Sequence, residues 1–175
     1  MAIRVDAYTS GGVASGYLAT PEPLRETLEG PSGLPLSETT WLELDDLSTA
    51  LAGVVTIPAD EVLVALGDDE SSIPVHATWH HISLDAGPYQ VEGELPTLPG
   101  FDPGRALTRP SGEFVMLRDV RLTIREQPDA GEAVGAHALV NRYGVERIRA
   151  DIMLGFFFPG AAIEGLAPVG AVAAS

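Results

Sequence analysis

The chain has 175 residues, 45% of them apolar, with 25 acids against 10 bases and a formal net charge of −15. Every base is an arginine and there is no cysteine, which excludes Schiff-base and phosphate-loop lysines, disulfides, thiolate nucleophiles and cysteine metal sites. The acidity weighs against nucleic acid or an anionic membrane as partner, because phosphate binding relies on clustered cations that release counterions.

The first residues, Met1 to Asp6, run directly into a strand pattern and lack the apolar stretch of a signal peptide. Without cysteine as well, the expected location is cytoplasmic. Ile3, Val5 and Ala7 alternate with Arg4, Asp6 and Tyr8; Ser10-Gly11-Gly12 then interrupts, and Val13 to Leu18 returns, which is the pattern of a hairpin. Thr20-Pro21 opens a short helix with Leu24 and Leu28 on one face, and Gly30-Pro31 stops it. A third strand follows, with Thr40, Leu42 and Leu44 on one face and Trp41 on the other. Asp45 to Gly53 reads as a connection, and Val54–Ile57 and Val62–Leu66 as two final apolar runs.

From about His81 to Ile148 the same order returns. Val13 to Thr20 aligns with Gln90 to Thr97 at a shift of 77, and Pro31-Ser32-Gly33 recurs as Pro110-Ser111-Gly112 at a shift of 79. The drift fits an insertion at Pro99 to Asp102. Ile82 and Leu84 alternate with Ser83 and Asp85, Ala86-Gly87-Pro88 turns the chain, and Tyr89 to Leu95 completes the second hairpin. Asp102-Pro103 opens a second helix, Leu107 matches Leu28, and Arg109-Pro110 closes it. Val120, Leu122 and Ile124 take the places of Thr40, Leu42 and Leu44, with Arg121 on the opposite face. Arg125 to Gly135 reads as a mobile loop, and Ala138–Val140 and Val145–Ile148 end the copy. Gly16 and Gly93 lie inside the return strands, where a missing side chain marks a bulge or sharp bend.

The expected fold class is therefore mainly β, with two duplicated five-stranded small β-barrel-like units, each carrying one short helix between its second and third strands. The boundaries are 1–73 and 74–151, followed by an apolar tail, 152–175, that Pro159, Glu164 and Pro168 break too often for a membrane span. Units of about 70 residues are near the lower limit for independent folding, so the two are expected to lean on each other.

Val140-Asn141-Arg142-Tyr143-Gly144-Val145-Glu146-Arg147-Ile148 resembles the last hairpin of Sm-like domains in its apolar spacing and central polar turn. The chain as a whole resembles uncharacterised bacterial tandem small β-domain proteins, a likeness that implies the architecture and no activity. Pro58-Ala59-Asp60-Glu61 stands at the turn in the first copy, and each helix lies between the second and third strands. No RNA contact is carried over from the Sm-like family.

The densest chemical cluster is His76-Ala77-Thr78-Trp79-His80-His81, where a strand would point His76 and His80 the same way. Spacing alone assigns no metal, and local hydrogen bonding of these histidines is the expectation. Ser83, His81 and Asp85 share a face without the turn of a nucleophile elbow, and no phosphate loop, dinucleotide fingerprint or H-E-x-x-H occurs. The chain is accordingly read as non-enzymatic, without cofactor. Recognition falls to Asn141, Arg142 and Tyr143, a tight turn offering a guanidinium fork and an aromatic platform, with Arg121 and Arg147 extending it. Two functions follow: a module for protein–protein interaction or self-assembly through the sheet edge each copy leaves, or a single-stranded nucleic-acid binder using the arginines of the second copy.

Overall fold

The computed structural model describes residues 3–67, 77–97, 112–150 and 157–165. Its strands are β1 (Arg4–Tyr8), β2 (Gly12–Leu18), β3 (Leu34–Glu43), β4 (Thr49–Ile57), β5 (Val64–Gly67), β6 (Thr78–Ala86), β7 (Tyr89–Thr97), β8 (Phe114–Ile124), β9 (Glu132–Asn141), β10 (Val145–Ala150) and β11 (Ala162–Glu164). All eleven lie in one unclosed sheet in the order β11-β10-β6-β7-β8-β9-β5-β1-β2-β3-β4. The one α-helix among the described residues is α1 (Leu24–Glu29), so the fold is mainly β. No helix among the described residues is long and apolar enough to cross a membrane.

The order has an internal regularity. Residues 4–67 contribute β5-β1-β2-β3-β4, and residues 78–150 contribute β10-β6-β7-β8-β9, the same arrangement of five consecutive strands. The β1–β2 and β2–β3 ladders match the β6–β7 and β7–β8 ladders in register. Val5 faces Gly16 as Ile82 faces Gly93, and Tyr17 faces Ser37 as Glu94 faces Arg118. Both β2 and β7 slip register at their glycine, where a Cβ would lie 2.6 Å from the Ser37 carbonyl at Gly16 and 3.2 Å from the Arg118 carbonyl at Gly93. Opposite these glycines, Glu38 and Asp119 both take a positive φ of 50°, the left-handed residue that a bulge demands. The bulges expected at Gly16 and Gly93 are thus present.

What the ladders do not do is close either half into a barrel of its own. Antiparallel pairing of β9 with β5 (Val64 with Val140, Ala65 with Leu139, Leu66 with Ala138) fuses the halves into a single sheet. Packing is shared to match. One buried cluster joins Ile82, Leu84, Val91, Leu117 and Ile148 of the second half to Tyr8, Val13, Val64 and Leu66 of the first. The other joins Val5, Leu18, Leu24, Leu28 and Leu36 to Phe114, Met116 and Leu139. Helix α1 reinforces this exchange, since Arg25 donates to the Phe114 carbonyl at 2.8 Å and Glu29 accepts from the Phe114 amide at 3.4 Å.

Two tyrosines seal the other side. Tyr89 donates to the carbonyls of Thr9 (2.6 Å) and Gly12 (3.2 Å), and its ring meets Tyr8 edge-on at 5.1 Å between centroids. Burial raises both phenols well above the ordinary tyrosine value of 10.0, with Asp6 adding to the effect at Tyr8 and Tyr8 adding to it at Tyr89. In the unfolded chain both would ionise near pH 10 while the native state keeps its protons. Stability is therefore intact below pH 10 and falls as pH rises above it, because the unfolded state then binds fewer protons. In an alkaline titration we expect Tyr8 and Tyr89 to form phenolates only as near-ultraviolet circular dichroism is lost. Phenolate formation at either tyrosine in a still-folded chain would contradict this packing.

Several expectations need correction. Helix α1 begins at Leu24 after Pro23, later than Thr20-Pro21, because Leu24 is the first residue that can reach the core. Residues Thr49–Gly53 and Glu132–Gly135, read as connections, are the first parts of β4 and β9. Of the loop expected from Arg125 to Gly135, residues 125–131 do connect β8 to β9, with a 3-10 turn at Pro128–Ala130. From the tail, Phe157 and Phe158 dock into the second-half core, and β11 pairs in parallel with β10. The second helix, expected at 102–109, lies outside the described residues.

Candidate functional site

The turn expected to recognise a partner is built into the joint between the halves. Asn141 donates its backbone N–H to Leu63 (2.9 Å) and its Nδ2 to the Val62 carbonyl (3.2 Å), while its Oδ1 accepts from the Tyr143 amide at 3.0 Å. Gly144 sits against Leu63, where a Cβ would lie 2.7 Å from a methyl group. Arg142 is 6% exposed and donates to the Phe157 carbonyl at 2.7 Å and the Gly112 carbonyl at 2.6 Å, clamping three segments together. Of the turn, Tyr143 is exposed and Gly144 half-buried, with the Arg142 guanidinium 5.6 Å from the Tyr143 ring centroid.

Arg121 and Arg147 lie elsewhere, on the outer face of the second half. Two strands, β6 and β7, separate β10 from β8, which sets the two arginines roughly 14 Å apart across the sheet. Arg121 sits 3.9 Å from Glu132 and Arg147 sits 3.5 Å from Glu164. Neighbouring arginines are engaged in the same way. Arg149 binds Asp85 at 3.0 Å and Ser83 at 3.3 Å, and Arg118 binds Glu94 at 3.0 Å while stacking on Trp79 at 3.8 Å. The structure therefore distributes the five predicted residues between a buried clamp and a face of alternating charge.

The histidines are dispersed as well. His80 Nε2 pairs with the Thr97 hydroxyl at 2.8 Å, His81 is exposed, and His76 lies outside the described residues. No group of three His, Asp or Glu side chains suited to a metal occurs among the described residues. A cleft of about 450 Å3 does join the halves, and its polar lining is Arg4, Asp6, Ser15, Thr40, Thr49 and Glu132 over a floor that includes Tyr8, Val13 and Leu122.

Thr49 at the cleft mouth is the first residue of β4, and β4 is the feature that periodicity concealed. One edge of β4 pairs with β3, and at the other, the end of the sheet, no strand of the described residues pairs with it. Its sequence, Thr-Ala-Leu-Ala-Gly-Val-Val-Thr-Ile, holds no charge and no proline over nine residues. Leu51 is opposite Thr40 and so shares the face that lines the cleft, away from the first-half core; Val55 is opposite the buried Leu36, which turns Val54 and Thr56 away from that core too. Leu51 is 90% exposed and Val54 77%. The strand is bent at Gly53 (φ 67°), where its register with β3 shifts, but it carries none of the lysines or prolines that ordinarily blunt an edge, and exposed apolar edges invite another strand.

The surroundings of the edge are acidic. Between Leu34 and Glu61 there are six acids, Glu38, Glu43, Asp45, Asp46, Asp60 and Glu61, and no base. Asp46 accepts from the Ser48 amide at 2.9 Å, and hydrogen bonds from Ser48 hold its carboxyl below the usual carboxylate range. The signal in the sequence was an uncharged run between acidic flanks. Ala-Leu-Ala-Gly, poor in β-branched residues, masked it as a connection.

No family model, curated protein or solved structure matches the chain, so the geometry alone carries the functional reading.

Proposed function

We propose that the chain is a non-enzymatic protein-binding module, made of two copies of one five-stranded, barrel-like unit, that docks a strand from a partner protein or from a second copy on the free edge of β4. The observation that carries this is a nine-residue uncharged edge strand displaying Leu51 and Val54 to solvent. An unpaired ladder supplies main-chain hydrogen bonds to any extended segment, and exposed apolar side chains beside it supply area to bury. The repeated strand order and matched registers support the two-copy reading. Single-stranded nucleic acid is the weaker alternative, because Arg118, Arg121, Arg147 and Arg149 each already face an acid.

The test is the double variant Leu51→Lys, Val54→Lys. Both side chains are solvent-exposed, so each change is expected to alter stability by no more than about 0.5 kcal/mol. Edge lysines block strand addition. Either sedimentation over a concentration series or titration by an uncharged valine–threonine strand peptide should show association in the parent chain, and neither should in the variant. Association that survives both lysines would overturn the docking role of β4.

A further inference from the structure

We infer that the β4 edge is built for a non-self partner, an extended segment of another protein with apolar residues beside Leu51 and Val54 and lysines or arginines at its flanks. This rests on the reading of β4 as a docking edge and adds the identity of the occupant.

The joint inside the chain shows what a second copy would have to supply. Here β9, the counterpart of β4, is covered by β5 running antiparallel. Three apolar side chains, Phe114, Met116 and Leu139, cross from the second half into the first-half core. Val64 and Leu66 cross the other way into the second-half core. Register identifies the residues that hold these places at the free ends. Met116 faces Leu139 as Pro35 faces Thr56, and Gly33, which shares a positive φ with Gly112, precedes Leu34 where Gly112 precedes Glu113 and Phe114. Tyr8 faces Val64 as Asp85 faces Arg147, and Asp6 faces Leu66 as Ser83 faces Arg149.

A copy of the joint between two molecules would therefore set Pro35 and Thr56 where Met116 and Leu139 now pack, and drive Arg147 and Arg149 toward an apolar core. Burying those guanidiniums away from Glu164 and Asp85 costs several kcal/mol per uncompensated charge. The outer edge of β10 is also occupied, by β11 through Arg147–Ala162, Ile148–Ile163 and Arg149–Glu164. Head-to-tail growth stops after one joint.

Edge-to-edge pairing of β4 with itself meets a different obstacle. It would bring together two segments that each hold six acids and no base, on molecules of net charge −15. Like charge opposed across an interface disfavours the pair, and opposite charge favours it. An uncharged strand of another protein with cationic flanks satisfies the ladder, the exposed leucine and valine, and the field of Glu38, Glu43, Asp45, Asp46, Asp60 and Glu61 together.

The experiment uses the full chain, labelled with nitrogen-15, and two synthetic peptides of alternating valine and threonine, one flanked by lysine pairs and one by glutamate pairs. At low salt the lysine-flanked peptide should shift the amides of Thr49 to Ile57, with an affinity at least about tenfold above its glutamate twin. The gap should shrink in about 1 M salt, where the screening length is about 3 Å. The double variant Asp45→Lys, Glu61→Lys, which changes exposed side chains only, should remove most of the preference. Equal binding of the two peptides at β4, or a dimer of the parent chain that Leu51→Lys, Val54→Lys dissolves, would overturn the cationic non-self partner and leave the docking edge standing. If neither peptide perturbs β4 and the chain is monomeric, both readings fail.

Discussion

Phe114→Ala is expected to destabilise the whole chain by about 3–5 kcal/mol, the range for removing a fully buried aromatic side chain and leaving a cavity. Phe114 belongs to the second half by sequence and is buried with Val5, Leu18, Leu24, Leu28 and Leu36 of the first. Its backbone is also held by α1, through Arg25 on its carbonyl and Glu29 on its amide. The loss should therefore not be confined to one half. Denaturant unfolding followed by tryptophan fluorescence, with Trp41 reporting the first half and Trp79 the second, should shift both signals together. A variant in which Trp79 moves while Trp41 keeps the parent midpoint would show that the halves fold independently and that the shared packing is inconsequential.

The second large effect is expected at Arg142. Replacing it with methionine keeps much of the volume and deletes the donors to the Phe157 and Gly112 carbonyls. Bonds from a charged donor are worth about 1.5–3 kcal/mol each, so a loss of about 3 kcal/mol or more is expected. Arg142→Lys should recover only part of it, since a point-like ammonium cannot span two carbonyls as a planar fork does. Chemical denaturation measures the cost. If Arg142 served recognition instead, Arg142→Met would leave the midpoint near that of the parent chain and change binding alone. Tyr143→Ala supplies the comparison, because its ring is exposed and its loss should barely move the midpoint.

These two residues mark how far the sequence could be read. Hairpins and bends were legible because they depend on neighbours: Ser10-Gly11-Gly12 and Gly87-Pro88 turn the chain, and Gly16 and Gly93 sit where a side chain would strike the next strand. The place of Asn141 and Arg142 in a turn was legible for the same reason. That the turn faces inward was not, because the groups it binds, Val62, Leu63, Gly112 and Phe157, come from three distant stretches. An arginine in a polar turn has the same local signature whether its guanidinium meets solvent or buried carbonyls. The β4 edge was missed for a related reason. Thr49 to Gly53 lack the alternation of a half-buried strand, since most of the strand is exposed at the end of the sheet.

Taken by itself, the order of residues determined the β class, the hairpins, the bends and the recurrence of strand-forming runs, all of which follow from backbone preferences and contacts within a few dozen residues. Tertiary structure alone decided that β9 would pair with β5, that each core would borrow side chains from the opposite half, that Arg142 would be buried, and that β4 would end the sheet among the described residues. The physical reason is that a strand carries hydrogen-bonding groups on both edges with no label for the partner. Which edge is covered depends on where apolar side chains from remote segments can be buried together.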